Sequence, residues 1–313
     1  MTKIRIIISR TDKIGDLVLS IPSLKMVRNI FPDSYITVLV RNYNYEIIKN
    51  LPYIDETIRV DNYELTELAK YLKQQNPKYF ISLFSDKKTG YLARKSKAKY
   101  RIGPFSKWHS YFSYNKGIRQ NRSKSIKNEA EYNLDLIKVI DKKKFENKFE
   151  LDTHIYIEKK YLQKAQNILG NKVGKTVLIH PFYGNSGKNL SYEQYRKIIF
   201  ELLEKSDHSI IISGHKSDEE TMRKYFSPLK SDRVRIFINH DSILYLAAII
   251  QKSDIFVGSS TGPTHIAGSL QKPIVAFYSP IKAKSIIRWG VFNNPEVSYF
   301  GNRMNCPEKY GCR

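Results

Sequence analysis

The chain has 313 residues, with 53 Lys and Arg against 30 Asp and Glu, a formal charge of +23. At roughly 150 residues per domain this length favours two domains, and an apolar fraction of 41% excludes a disordered chain. The apolar run Leu244 to Ile250 falls far short of the roughly 20 residues of a membrane span, Ile6 to Ile8 is too short for a signal-peptide core, and two cysteines, Cys306 and Cys312, cannot build a disulfide scaffold.

A soluble protein of a reducing compartment is expected. In chain order, Ile4 to Ser9 predicts a buried strand. Asp16 to Phe31 predicts a helix interrupted at Pro22 and closed before Pro32. Tyr35 to Val40 is a strand, Tyr63 to Gln75 a helix and Tyr79 to Phe84 a strand. Glu129 to Ile140 places Ala130, Leu134, Ile137 and Ile140 at helical intervals. The second half alternates more cleanly. Strands at Thr176 to His180, Ser209 to Ser213, Val234 to Ile238, Ile255 to Gly258 and Pro273 to Phe277 are separated by helices at Tyr192 to Lys205, Asp218 to Phe226, Ile243 to Gln251 and Pro263 to Leu270. A last helical start is read at Ile281 to Trp289. Such alternation means βαβ units and an α/β class with two doubly wound parallel sheets. The polar stretch Asp141 to Lys175 holds the boundary, giving domains 1–160 and 161–313.

Ligands of such sheets gather beyond the carboxyl ends of the strands, so four strand-to-helix loops are the places to look for chemistry. The first, Ser9 to Asp16, has Gly15 to permit a tight turn and Asp16 in the first helical turn. An acid there suits the helix dipole and equally suits a general base at a strand's end; position alone leaves both open. The loop matches neither a Walker A nor a G-x-G-x-x-G pattern. The second, Pro181 to Ser191, carries Ser186 and Lys188 ahead of an N-cap at Ser191, a composition suited to phosphate. The third begins at Gly214; Ser217 with Glu220 reads as a capping box, and Asp218 is a secondary candidate for a ribose hydroxyl. The fourth, Gly258 to His265, offers Ser260, Thr261, Gly262 and a Pro263 suited to the first helical position, an anion-binding helix start with His265 in its first turn. No Asp-x-Asp and no zinc spacing occur, so neither a metal nor a cofactor is expected.

The positive charge is concentrated. Lys87 to Asn128 holds 13 Lys and Arg and no acid, interleaved with seven aromatics. Such a segment attracts a polyanion, whether nucleic acid, an anionic lipid surface or a phosphorylated glycolipid; the plainer alternative is solubility.

Together the loops resemble glycosyltransferase family 9, the heptosyltransferases. The resemblance rests on Arg10-Thr11-Asp12-Lys13-Ile14-Gly15-Asp16 with Pro22, Phe31-Pro32-Asp33, the His180 to Lys188 loop, and Ser260-Thr261-Gly262-Pro263-Thr264-His265-Ile266-Ala267 followed by Lys272-Pro273. It implies a GT-B architecture of two Rossmann-like domains facing across a cleft, the first binding acceptor and the second nucleotide sugar, with the C-terminal tail packing back on the first. It also implies an inverting, metal-independent transfer, typically of heptose from ADP-heptose to the lipopolysaccharide inner core, by a cytoplasmic protein peripheral to the membrane's inner face. Asp16 matches the family's general base and Lys188 a lysine that holds the donor phosphates. Thr261, Gly262 and His265 match the donor motif, to which Gly15, Ser186, Gly214, Asp218 and Ser260 are added. Ser260 stands where the family commonly has Asp, which puts the sugar's identity in question. Under this reading Arg94, Lys95, Lys97, Lys99 and Arg101 meet an anionic glycolipid and no nucleic acid is expected. The rival from another class, a basic nucleic-acid-binding or RNA-modifying protein, explains the charge but not the paired loops.

Overall fold

The isoleucines at 6–8 form the middle of a strand, β1 (Arg5–Ser9), buried on both faces, as an apolar run without alternation requires. It belongs to a five-stranded parallel sheet with β2 (Tyr35–Val40), β3 (Glu56–Arg59), β4 (Tyr79–Ser82) and β5 (Tyr100–Ile102), in the order β3-β2-β1-β4-β5. Ile7 lies opposite Thr37 on one side and Phe80 on the other. This computed structural model describes residues 3–106, 108–170, 174–183, 190–279 and 281–300. It divides into two compact units, Met1–His154 and Ile155–Arg313.

The second unit has a six-stranded parallel sheet of β6 (Thr176–His180), β7 (Ser209–His215), β8 (Val234–Asn239), β9 (Ile255–Ser259), β10 (Ile274–Phe277) and β11 (Val297–Phe300). Its order is β11-β10-β9-β6-β7-β8. In both sheets the winding reverses beside the first strand, between β1 and β4 and between β6 and β9. Doubly wound sheets bind ligands in crevices at the carboxyl edge beside such switch points. Apolar clusters seal the sheets against their helices, around Ile7, Leu39, Phe80 and Leu72 in the first unit and around Ile179, Ile212, Tyr195 and Phe226 in the second.

Several expectations are corrected. The interruption near Pro22 falls earlier: the helix Ile14–Val18 ends, Ser20 intervenes and the helix Ile21–Ile30 starts with proline in its first turn, where a missing N–H costs nothing. Gly15 lies inside the first of these helices with no positive φ, so no left-handed turn requires it. Strand β7 runs on through Gly214 and His215, because these residues pair with Ile238 and Asn239 of β8. The capping box at Ser217 and Glu220 is replaced by another pair. His215 accepts from the Ser217 N–H through Nδ1, and the Asp218 carboxylate accepts from the His215 N–H at 2.9 Å. Strands β3, β5 and β11 were not expected, nor was the helix Lys87–Lys95, which Asp86 caps through the Thr89 N–H. The predicted cap at Ser191 is present, in a box with Gln194.

Candidate functional site

The first crevice is built around a buried arginine. Arg10, one residue past β1, has no solvent exposure and carries its guanidinium into a ring of acceptors. Its Nε pairs with Asp12 Oδ1 at 2.7 Å, Nη2 with Asp16 Oδ1 at 2.7 Å, and both terminal nitrogens lie 3.3 Å from Glu129 Oε1. Nη1 also donates to the Leu83 carbonyl and to Asn133 Oδ1, each at 3.1 Å. The helix Glu129–Lys138 supplies two of these partners because residues four apart share a face. Its start is fixed by a capping box of Asn128 with Glu131. Asn133 turns its amide to Ser20 Oγ at 3.2 Å, pinning the break between the first two helices.

Charge in this cluster is unbalanced. Asp12, Asp16 and Glu129 face Arg10 and Arg122, whose Nη1 also bonds Glu129 Oε1. Burial opposes the Arg10 charge, but Asp12, Asp16 and Glu129 outweigh it and hold the guanidinium firmly protonated. Burial is also what pushes the Asp12 carboxyl well above the usual carboxylate range; Arg10 works against the shift, and Asp16 and Glu129 add to it. The Asp12 main-chain carbonyl is clamped by the Tyr43 hydroxyl and by Asn44 Nδ2. Asp16 itself keeps 13% side-chain exposure. It is thus a carboxylate oriented by a fixed cation and still open to a reactant, the arrangement required of a general base.

Asp16 and Gly15 were singled out from the sequence. Arg10 and Asp12 sat in the same motif without a role, and Glu129, Asn133 and Arg122 were missed. An arginine immediately after a buried strand, followed by two acids, is the one local signal of such a hub. The distant partners leave none.

At the second switch point, β9 ends at Ser259 and the helix Gly262–Ser269 begins with proline in its first turn. Thr261, at the N-cap, does not cap through its side chain: its hydroxyl and that of Thr264 both donate to the Ser259 carbonyl. Among the described residues, no side chain of the N-cap therefore closes the start of this helix, a place where backbone N–H groups can receive an anion. His265 is buried in the first turn and Ser260 is half-buried. Beside it, β6 ends at His180, opposite Gly258. His180 Nδ1 lies 3.1 Å from Ser213 Oγ, and burial pulls its pKa down to about 4, with the Ser213 contact opposing. Gly214 lies in β7, and Asp218 is occupied in its turn. Ser186 and Lys188 lie outside the described residues, as do Cys306 and Cys312.

Of the five basic candidates, Arg94, Lys95, Lys97 and Lys99 are exposed. Arg101 is tied down, donating from Nε to the Ser113 carbonyl and from Nη1 to that of Ala98. These bonds tie it to the turn after the helix Lys87–Lys95 and to the end of the helix Trp108–Ser113.

Comparison with known proteins agrees with this architecture. The family model for glycosyltransferase family 9 (heptosyltransferase) matches residues 65–308. A protein of Haemophilus influenzae named "Putative glycosyltransferase" is 29% identical over 303 residues, spanning 93% of this chain and 86% of its own. Among solved structures, E. coli ADP-heptose lps heptosyltransferase II superposes with a TM-score of 0.78 at 14% identity, covering 95% of this chain and 89% of that one. E. coli heptosyltransferase WaaC with ADP gives 0.72 at 16%, covering 96% and 94%. At these identities the structures speak for the fold alone, two Rossmann-like domains of the GT-B class. The match over most of the sequence decides the rest: this chain belongs to glycosyltransferase family 9 and is a glycosyltransferase.

Proposed function

We propose that the protein transfers heptose from ADP-heptose to an anionic inner-core glycolipid at the inner face of the cytoplasmic membrane, with inversion and without a metal ion. Asp16 carries this reading: it is a partly exposed carboxylate at the carboxyl end of β1, oriented by an arginine with no exposure. In the reaction, Asp16 takes the proton of an acceptor hydroxyl. The hydroxyl oxygen forms a bond to the anomeric carbon from the face opposite the diphosphate. The carbon–oxygen bond to the diphosphate breaks, and ADP leaves with that electron pair. Lys188 neutralises the departing charge, aided by the uncapped start of the helix Gly262–Ser269. Thr261, Gly262 and His265 line the donor phosphates and sugar, while Gly15, Ser186, Gly214, Asp218 and Ser260 complete the donor site. The N-terminal unit receives the acceptor through Arg94, Lys95, Lys97 and Lys99, with Arg101 shaping the turn. The binding of ADP by the related WaaC supports the nucleotide assignment.

Calorimetry with ADP, UDP, GDP and CMP in the presence of EDTA tests this. Selective ADP binding, lost in Lys188→Ala, is the expected result, followed by turnover of ADP-heptose. Selective binding of another nucleotide discards heptose and keeps the transferase. Neutralising Arg94, Lys95, Lys97 and Lys99 together raises the acceptor KM and leaves ADP affinity alone; unchanged acceptor kinetics remove them from the site.

A further inference from the structure

The helix Trp108–Ser113 stands at the same edge of the first sheet as Asp16. All five strands are parallel, so the loops after β1, β4 and β5 leave from one edge. Two strand spacings, about 10 Å, separate β1 from β5.

The helix is held firmly from below. Gly103 passes against the ring of Tyr114, where a Cβ would come within 2.6 Å. The Phe105 N–H donates to the Ile118 carbonyl at 2.8 Å, and the buried Tyr114 hydroxyl bonds Ser85 Oγ at 2.8 Å. Ser110 and Tyr114 face inward. Three aromatic side chains among the described residues face outward, Trp108 80%, Phe112 60% and Tyr111 52% exposed. Trp108 and Phe112 are one turn apart with ring centroids 5.4 Å apart at 64°, and Tyr111 stacks on Phe105 at 4.9 Å. Neighbouring rings thus pack into a knob, and Phe105 covers one face of Tyr111.

The segment that carries the helix is strongly basic, with Asp86 just ahead of it as the cap of the helix Lys87–Lys95. The segment 87–128 contains no acid. Lys87 and Lys88 begin the helix Lys87–Lys95, which packs on this one, and Arg119 follows Ile118, the bridge partner of Pro104. An exposed tryptophan and phenylalanine amid lysines match the headgroup region of an anionic bilayer, which takes amphipathic rings and attracts basic side chains together. No helix among the described residues is long and apolar enough to cross a membrane, so contact through this knob is interfacial.

We propose that the helix Trp108–Ser113 is the membrane-docking element, seating Trp108 and Phe112 in an anionic lipid surface beside the Asp16 crevice. The inference deepens the glycolipid-acceptor reading and rests on it. Docking there brings a bilayer-borne acceptor to the base without extracting it.

The sequence has two tryptophans, so the full chain carrying Trp289→Phe reports on Trp108 alone. It is mixed with vesicles of phosphatidylcholine and of phosphatidylcholine with phosphatidylglycerol. The expected result is a blue shift, and quenching by bromine-labelled acyl chains, with the anionic vesicles only and reversed by salt. The double variant Trp108→Ser, Phe112→Ser loses partition by about tenfold or more while keeping ADP affinity and turnover on a deacylated, water-soluble acceptor. Unchanged Trp108 emission, wild-type partition of the double variant, or a wild-type dimer that the double variant dissolves would each overturn the proposal. Failure of wild-type turnover on the soluble acceptor with docking intact strikes the acceptor reading instead.

Discussion

Arg10 donates to Asp16 Oδ1 at 2.7 Å from a side chain that solvent does not reach. The pair spans only six residues, yet the arginine's position is set from elsewhere, by Glu129, Asn133 and the Leu83 carbonyl. Orientation of Asp16 therefore depends on elements far along the N-terminal unit.

Asp16→Asn keeps the shape and the bond to Arg10 but cannot take a proton. Turnover falls by about 10²–10⁴ while ADP affinity by calorimetry is unchanged. Near-normal turnover would reduce Asp16 to a helix-start acid.

Arg10→Met leaves Asp12, Asp16 and Glu129 around an apolar chain. Removing one partner of a buried ionic cluster costs about 3–5 kcal/mol, so the urea midpoint drops sharply at pH 7. A midpoint equal to wild type at pH 7 contradicts the hub.

Asp12→Asn has a milder and distinctive effect. The Asp12 carboxyl is raised by burial, so the native state binds a proton that the unfolded chain has already released. Stability of the wild type then declines as pH rises above about 4. Asparagine copies the neutral acid and removes this contribution. The variant is expected to match or exceed wild type at pH 8 and to lose that margin at pH 5; the reverse order rules out the assignment.

His180 gives the opposite slope. Its folded pKa of about 4 lies below the ordinary histidine value, so the unfolded chain binds the proton first. Its contribution is complete above about pH 6.5 and is lost as pH falls toward 4. An NMR titration of the imidazole at pH 5 finds it neutral; a midpoint near 6.5 would refute its burial beside Ser213.

Elements with complete local instructions were legible in the sequence. Tyr35–Val40, Thr176–His180 and Tyr192–Lys205 begin and end where apolar runs and the Ser191 cap place them. The loops at both switch points were legible for the same reason, since a strand followed by Gly, Pro or an acid marks where a helix begins. Strands β3, β5 and β11 were not, being three or four residues long with mixed exposure. Their neighbours' unpaired backbone, and not their own pattern, makes them strands. The same holds for Gly214 and His215, drawn into β7 by β8. Arg101 illustrates the limit for function: its charge counted with Arg94 and Lys99 in the sequence, but two main-chain carbonyls claim it in the fold. Local periodicity, caps and turn chemistry act over a few residues, so the α/β alternation, the family motifs and Asp16 as a candidate could be read along the chain. What holds Asp16 emerges from folding, because Arg10 and Glu129 lie 119 residues apart, and a charge's environment depends on distance in space and not along the chain.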